Sequence, residues 1–506
     1  MSRKIVVAMT AAAVTLVLHL VANPHYGFFR DELYFIICGF HPAFGYVDQP
    51  PIVPLLSAGS QLFGHSLFLL RALPAIFAAA GAYVTCLLAF EMGGGTSAAL
   101  LAVLAYLAAP VLTSFGAKVG PDMVGLWLWP LAALYVLRIV KGADARNWIA
   151  VGIVAGFALQ SKYSVLFFAL AIVAGLLLTP QRRVLFNGWF LAGVAVAVAI
   201  VLPNFIWQAA HHFPMWELLR NGASGKNLVP SPVLFVFQQL LLTNLFVWPI
   251  WVVGLIWLLR DSTSRFLGYG YFILIAMMIA LHAKHYYPAD VYPIPMAAGG
   301  VAIEGWTRRL PGVRWAVAVA AIGAGLFFAP FCLPVLSETA MVAYTAFVGR
   351  VLHISRSTMA TERGRMATLP EDWADMHGWP ELTATVARVY ASLPPDQRRG
   401  AAIVADNYGE AAAIDFFGPA YGLPPAVSYH NNYWIWGTHG ASGDVVINVN
   451  ADCGRKDFPG LYRASRLVTR SNPAWVISYE QNIPIWLCTG ITTPLGDLWP
   501  KLRRYI

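Results

Sequence analysis

Apolar runs long enough to enter or cross the hydrocarbon of a bilayer follow one another over the first two thirds of the chain. They are Ile5 to Val21, Leu67 to Phe90, Ala98 to Leu112, Met123 to Val140, Trp148 to Leu159 and Val165 to Leu178, then Trp189 to Leu202, Val233 to Leu259, Phe266 to Leu281, Val291 to Ile303 and Trp315 to Leu336. The pattern predicts an α-helical polytopic membrane protein with about eleven transmembrane spans. Several runs fall short of the roughly 20 residues of a full crossing. The pair flanking Ser161-Lys162-Tyr163-Ser164 is expected to enter from the cytoplasm and turn back near the outer side.

After Leu336 the apolar runs stop, which divides the chain into a transmembrane domain, 1–336, and a polar-mixed domain, 337–506. The second part reads as one compact α/β domain. Its expected helix is Trp379 to Ser392, and its expected strands are Ala401 to Ala405, Asp444 to Val449 and Trp475 to Tyr479. Neither an internal repeat nor a low-complexity linker is visible.

Composition agrees with a membrane chain. Of 506 residues, 58% are hydrophobic and 12% charged, and mean hydropathy is +0.61, far from the roughly one-quarter charged residues of soluble domains. A net charge of +9 would suggest nucleic acid in a soluble protein; here the positions of the basic residues matter more, and no nucleic-acid partner is expected. With Arg3 and Lys4 cytoplasmic, alternation also places inside Lys141 and Arg146, Arg182 and Arg183, Arg260 and Arg265, and Arg308, Arg309 and Arg314. The run after Arg3 and Lys4 is too long for a signal-peptide core and lacks a small-x-small cleavage site, so it reads as a retained first span. The odd span count puts the C-terminal domain outside a cytoplasmic (inner) membrane. Five cysteines contain no C-x-x-C pair; Cys453 and Cys488 are the one pair placed to join.

The outward loops then hold most of the acidic and histidine residues before Leu336. In the long first outer loop, 22–66, aromatics flank Arg30-Asp31-Glu32. Successive helical residues point about 100° apart, so Asp31 and Glu32 cannot both face one cavity; one is the working carboxylate and the other a helper. The same cluster also suits a charged stop to the first span. Phe44-Gly45-Tyr46-Val47-Asp48-Gln49-Pro50-Pro51 predicts a rigid loop. Further outward ionisable groups are Lys118 and Asp122, Lys162 with Tyr163, then His211, His212, Arg220 and Lys226, then His282, Lys284, His285, Tyr286 and Asp290. Ionisable groups at membrane depth usually face a polar cavity; each also suits an interfacial anchor. The histidines lack a decisive ligand spacing, so a divalent metal stays open and no cofactor is assigned. Tyr429 to Trp436 alternates aromatics with hydrogen-bonding groups, which suits either sugar stacking or a packed loop.

As an ordered set, Arg30-Asp31-Glu32-Leu33-Tyr34, Gly45-Tyr46-Val47-Asp48-Gln49-Pro50-Pro51, Gly120-Pro121-Asp122, Ser161-Lys162-Tyr163 and Lys284-His285-Tyr286 resemble the bacterial branch of the GT-C glycosyltransferases, the superfamily of protein O-mannosyltransferases and the lipid A aminoarabinose transferase. The resemblance covers about Met1 to Leu336 and is densest in the first third. It implies an inverting glycosyltransferase that moves a hexosyl or pentosyl group from a polyprenyl-phosphate donor to a lipid, glycan or protein acceptor on the outer face. A departing phosphate needs no acid, whereas an acceptor hydroxyl must lose a proton. Asp31 is accordingly the expected base or acceptor-orienting acid, with Glu32 supporting it. Lys162, Lys284 and His285 are expected on the phosphate, with Tyr46, Asp48, Lys118, Asp122, Tyr163 and Tyr286 completing the substrate site. A transporter or flippase of lipid-linked sugars is the alternative, although it should show repeated halves with interrupted helices.

Overall fold

A computed structural model describes residues 2–225, 231–353, 368–453 and 460–506; Lys226 lies outside the described residues. Among the described residues, five helices are long and apolar enough to cross a membrane: Arg3–Ala22, Leu67–Glu91, Asp122–Val140, Gly188–Ala210 and Pro311–Phe331. Shorter apolar helices, among them Thr96–Ala108, Asn147–Leu159, Val165–Leu177, Trp248–Arg260 and Arg265–Ala280, pack between them. The chain is thus a multi-pass membrane protein.

Two apolar runs that read as single spans are broken. Val233 to Leu259 forms helices Pro232–Leu242 and Trp248–Arg260. Asn244 sits between them at φ 82°, donates to the Ala108 carbonyl at 3.0 Å and accepts from the Phe246 N–H at 3.0 Å. Pro249 then falls in the first turn of the second helix, where its missing N–H leaves no bond unmade. Likewise Ala98 to Leu112 stops at Ala109, which is extended because Pro110 follows it. The short pair around Lys162 consists of two 13-residue helices, each about 20 Å long at 1.5 Å per residue. Helix Asn147–Leu159 lies directly on Gly188–Ala210. A Cβ on Gly152 would come within 2.0 Å of the Gly193 carbonyl oxygen, and one on Gly193 within 2.3 Å of that of Trp148, the small-residue contact that lets membrane helices touch along their backbones.

The last third carries a five-stranded sheet, β1 (Ala401–Ala405), β2 (Ala426–Val427), β3 (Val445–Val449), β4 (Tyr462–Ser471) and β5 (Ile483–Ile491), in the order β2-β1-β3-β5-β4. β1 runs parallel to β2 and β3, and β5 antiparallel to β3 and β4. Helices Trp379–Ala391 and Tyr408–Phe417 lie in the same segment. Trp475 to Tyr479 is not a strand: Trp475 takes φ 67° after Pro473 and packs with Leu369 and Trp373. A disulfide joins Cys453 to Cys488 on β5, with Cα atoms 5.6 Å apart, while Cys38, Cys86 and Cys332 are buried free thiols.

Loop 22–66 is clamped by this last third and by the end of the preceding part. Tyr26 Oη donates to the Leu336 carbonyl at 2.7 Å, and the Val47 N–H donates to Asn432 Oδ1 at 2.9 Å. His65 stacks on Phe416 with ring centroids 4.0 Å apart.

Candidate active site

Helix Arg30–Phe40 opens with both carboxylates in its first turn, and the turn sends them to different fates. Glu32 reaches back to the Phe29 N–H at 2.9 Å, satisfying one of the donors a helix start leaves unpaired. It also accepts from the Val119 N–H at 3.0 Å. Arg71, early in helix Leu67–Glu91, meets it with Nε 3.0 Å from Oε1 and Nη2 3.0 Å from Oε2. Both side chains are wholly excluded from solvent. The remaining Arg71 donors reach the carbonyls of Asn23, His25 and Gly27 at 2.7 to 3.0 Å. Glu32 is thereby committed to holding loop 22–66 on the second long helix. Asp31, one residue earlier, keeps 34% of its side chain exposed.

Around Asp31 the two parts of the chain meet. Tyr408 Oη donates to Asp31 Oδ1 at 2.8 Å. Arg30 Nε lies 3.6 Å from the same oxygen, and Arg30 Nη2 lies 3.3 Å from Asp375 Oδ2. Arg30 also donates to Tyr479 Oη at 2.5 Å, and its guanidinium covers the rings of Tyr408 and Tyr479 at 5.6 and 5.5 Å. Burial pushes the Asp375 carboxyl up to about 7, against the opposing pull of Arg30 and with a further push from Asp31. Tyr34 lies 4.6 Å from the Tyr408 ring and donates to Asp48 Oδ1 at 3.2 Å. Asp31, Tyr408, Tyr34 and Asp48 therefore form one strip joined by hydrogen bonds and a tilted ring contact.

The rigid loop contributes Asp48 to this strip but not Tyr46, which is 1% exposed and donates to the Cys38 carbonyl at 2.8 Å. Tyr163 donates to Asn204 Oδ1 at 2.8 Å, and Asn204 in turn donates to the Phe44 carbonyl at 2.9 Å, so Tyr163 braces the loop from the helix side.

A second cluster gathers at the turn between the two short helices. Lys162 pairs with Asp122, the first residue of helix Asp122–Val140, and its Nζ lies over the rings of Tyr287 and Tyr286 at 4.3 and 5.4 Å. Lys284 approaches the same Tyr286 ring at 5.9 Å, and His285 meets its edge at 5.7 Å. Asp290 is 1% exposed and close enough to helix Asp122–Val140 that a Cβ on Gly125 would fall 1.9 Å from Asp290 Oδ2. Its Oδ1 has no hydrogen-bond partner among the described residues. Helices Asp122–Val140, Asn147–Leu159, Val165–Leu177 and Gly188–Ala210 line a half-open apolar cavity of ≈ 690 Å³ that includes Leu159 and Val165, the helix-end residues on either side of the Lys162 turn, and Phe205.

Other sequence candidates sit apart from these two groups. Lys118 pairs with Asp372 and covers the Phe29 ring at 4.6 Å, docking the C-terminal segment onto the loop. His211 stacks on Trp207 at 4.0 Å, while His212 and Arg220 are exposed. The Tyr429 to Trp436 run is mostly buried at its start: Asn432 holds Val47, and Trp436 stacks on His41 at 4.2 Å. Among the described residues, no three His, Cys, Asp or Glu side chains gather as a metal-ligand group. Sequence reasoning missed Arg71, Tyr408, Asp375 and Tyr287. Arg71 was the legible one, a lone arginine inside an apolar span that demands a buried partner; the others depend on contacts hundreds of residues away in the chain.

Residues 48–207 match the family described as dolichyl-phosphate-mannose-protein mannosyltransferase. The lipid A galacturonosyltransferase RgtD of Rhizobium johnstonii is 26% identical over 191 residues, which are 36% of this chain and 39% of that protein. The crystal structure of ArnT from Cupriavidus metallidurans bound to undecaprenyl phosphate superposes with TM-score 0.64 at 16% identity, over 96% of this chain and 98% of that one. Its apo form gives 0.62 at 16% identity, over 94% and 97%. The family match in the first half, the curated relative and the likeness along nearly the whole chain agree: the chain has the GT-C fold of membrane glycosyltransferases.

Proposed function

We propose that this protein transfers a sugar from a polyprenyl-phosphate carrier to an acceptor at the outer face of the cytoplasmic membrane. The observation that carries the reading is that the Lys162 cluster sits on the turn between two helices whose adjoining ends, Leu159 and Val165, line a long apolar cavity. A phosphate attached to an isoprenoid chain needs just this pair of neighbours. The tail lies among Leu159, Val165 and Phe205, and the head meets an ammonium that has three donors and gives one to Asp122. Against the same tyrosine, Lys284 adds positive charge and His285 a hydrogen-bonding ring nitrogen where the leaving phosphate gains negative charge. Asp31, the more open acid of the other cluster, removes the proton of an acceptor hydroxyl, or orients the acceptor where that is itself a phosphate.

The outer location is supported by the disulfide, which belongs to an oxidising compartment, and by the clamp that keeps the disulfide-bearing segment on the Asp31 loop. The relatives are named for transfer to lipid A and to protein, so the acceptor is the open part of the reading. Mass spectrometry of membrane lipids and envelope glycans, with the gene deleted and then restored as parent or Asp31→Asn, tests it. The expected result is a glycosylated species lost on deletion, accumulation of its lipid-linked donor, and no recovery with Asp31→Asn. Full recovery by an equally abundant Asp31→Asn protein refutes the assignment of the acid.

A further inference from the structure

We infer that Tyr408, from the C-terminal part of the chain, is a positioning residue for Asp31, and that the site is incomplete without it. The inference rests on the reading of Asp31 as the working acid.

The sequence fixes the tyrosine firmly. Asn407 caps helix Tyr408–Phe417 by accepting from the N–H groups of Gly409 and Glu410 at 2.8 and 3.0 Å. Glu410 answers by accepting from the Asn407 N–H at 3.3 Å, a capping box that pins Tyr408 as the first helical residue. The next residue must be glycine for this end to reach the outer loop, because a Cβ on Gly409 would fall 2.3 and 2.5 Å from Cγ and Cδ of Arg30. The Tyr408 ring is held between Tyr34, 4.6 Å away, and the Arg30 guanidinium, which leaves it little rotational freedom. Its hydroxyl then has a fixed target, Asp31 Oδ1 at 2.8 Å.

Burial and the charges of Asp31 and Asp48 hold the Tyr408 hydroxyl well above the usual phenol range, outweighing Arg30, so it stays a donor. A single donor bond to one carboxylate oxygen fixes the plane of the carboxylate and the direction of the other oxygen. Groups that do chemistry must be held to about 0.5 Å and 10–20°, and a misplacement of about 1 Å lowers rates by about a hundredfold. Asp31 has no comparable brace on its own helix, since its neighbour Arg30 directs its Nη groups to Tyr479 and Asp375 and approaches Asp31 only to 3.6 Å.

The test uses full-length protein in lipid nanodiscs and a detergent-solubilised envelope extract of the deletion strain, with its lipids, glycans and proteins, which supplies donor and unmodified acceptor together. Tyr408→Phe keeps the ring and removes the hydroxyl. The maximal rate is expected to fall about tenfold or more, with the half-saturating extract concentration and the melting temperature unchanged. Asp31→Asn/Tyr408→Phe should be no slower than Asp31→Asn alone. A parent-like rate for Tyr408→Phe overturns the inference, as does an equal fractional loss in the Asp31→Asn background or a loss that tracks a lowered melting temperature. If Asp31→Asn itself keeps the parent rate, the reading of the acid fails first, and that outcome is distinct from failure of Tyr408 alone.

Discussion

Glu32→Gln is expected to damage the fold and spare the chemistry. The carboxylate accepts from two backbone N–H groups and two nitrogens of Arg71, all between 2.9 and 3.0 Å at their shortest, with both side chains at 0% exposure. An amide retains one oxygen, turns an NH₂ toward groups that already donate, and leaves the guanidinium charge uncompensated in a dry site. Removing one partner of a buried ion pair costs about 3–5 kcal/mol, and at about 2–4 °C per kcal/mol for a sizeable domain the melting temperature should drop by on the order of 10 °C. Thermal melts of purified protein, paired with turnover per folded molecule, provide the assay. Glu32→Leu/Arg71→Met should recover only part of the loss, because Arg71 also satisfies three loop carbonyls. A Glu32→Gln protein that melts like the parent but has lost turnover would refute this reasoning and return Glu32 to the chemistry.

Lys162→Ala should weaken undecaprenyl phosphate binding about ten- to hundredfold, the loss of a charge-assisted bond of about 1.5–3 kcal/mol; unchanged affinity with a lowered melting temperature would leave Lys162 only its structural pairing with Asp122. Asp375 has its folded value raised to about 7 from an ordinary 3.8, so its contribution to stability is complete below about 4 and is lost as pH rises toward 7. Asp375→Asn should flatten that part of the stability-against-pH curve, and an unaltered slope would refute the assignment. Cysteines introduced at Phe44, 65% exposed, and at exposed Asp396 should both react with a membrane-impermeant maleimide from outside. Labelling of one alone contradicts the shared outer location.

Much of the membrane part was legible because hydrophobic runs in a bilayer are long and uninterrupted, and its misreadings fall where a proline or an asparagine breaks a run, at Pro110 and Asn244. In the C-terminal part, helix Trp379–Ala391 and strands β1 and β3 stood out as buried or amphipathic segments. β4 did not: it is the edge of the sheet, largely exposed along its length, and carries Arg463, Arg466 and Arg470, charges that discourage pairing with another chain and erase the alternation that marks a half-buried strand. β5 hides behind Pro484 near its start. For the site, the helical turn separates Asp31 from Glu32, but only Arg71 decides which of them is buried. Asp122 and Lys162 were both visible as candidates, whereas their pairing, and the convergence of Lys284 on the same tyrosine, required the helices to be in place.

The bond between Asp31 and Tyr408 joins residues 377 positions apart, and Arg30 finds Tyr479 across 449. At about 5–20 residues per second of synthesis, the loop bearing the acid waits roughly 20–75 s for the tyrosine that steadies it. During that interval the early spans are already in the bilayer, with Asp31 unheld by Tyr408. On the proposed roles of these two residues, full competence arrives only with the last part of the chain, and a ribosome that stops early releases a membrane protein whose acid is unsteadied.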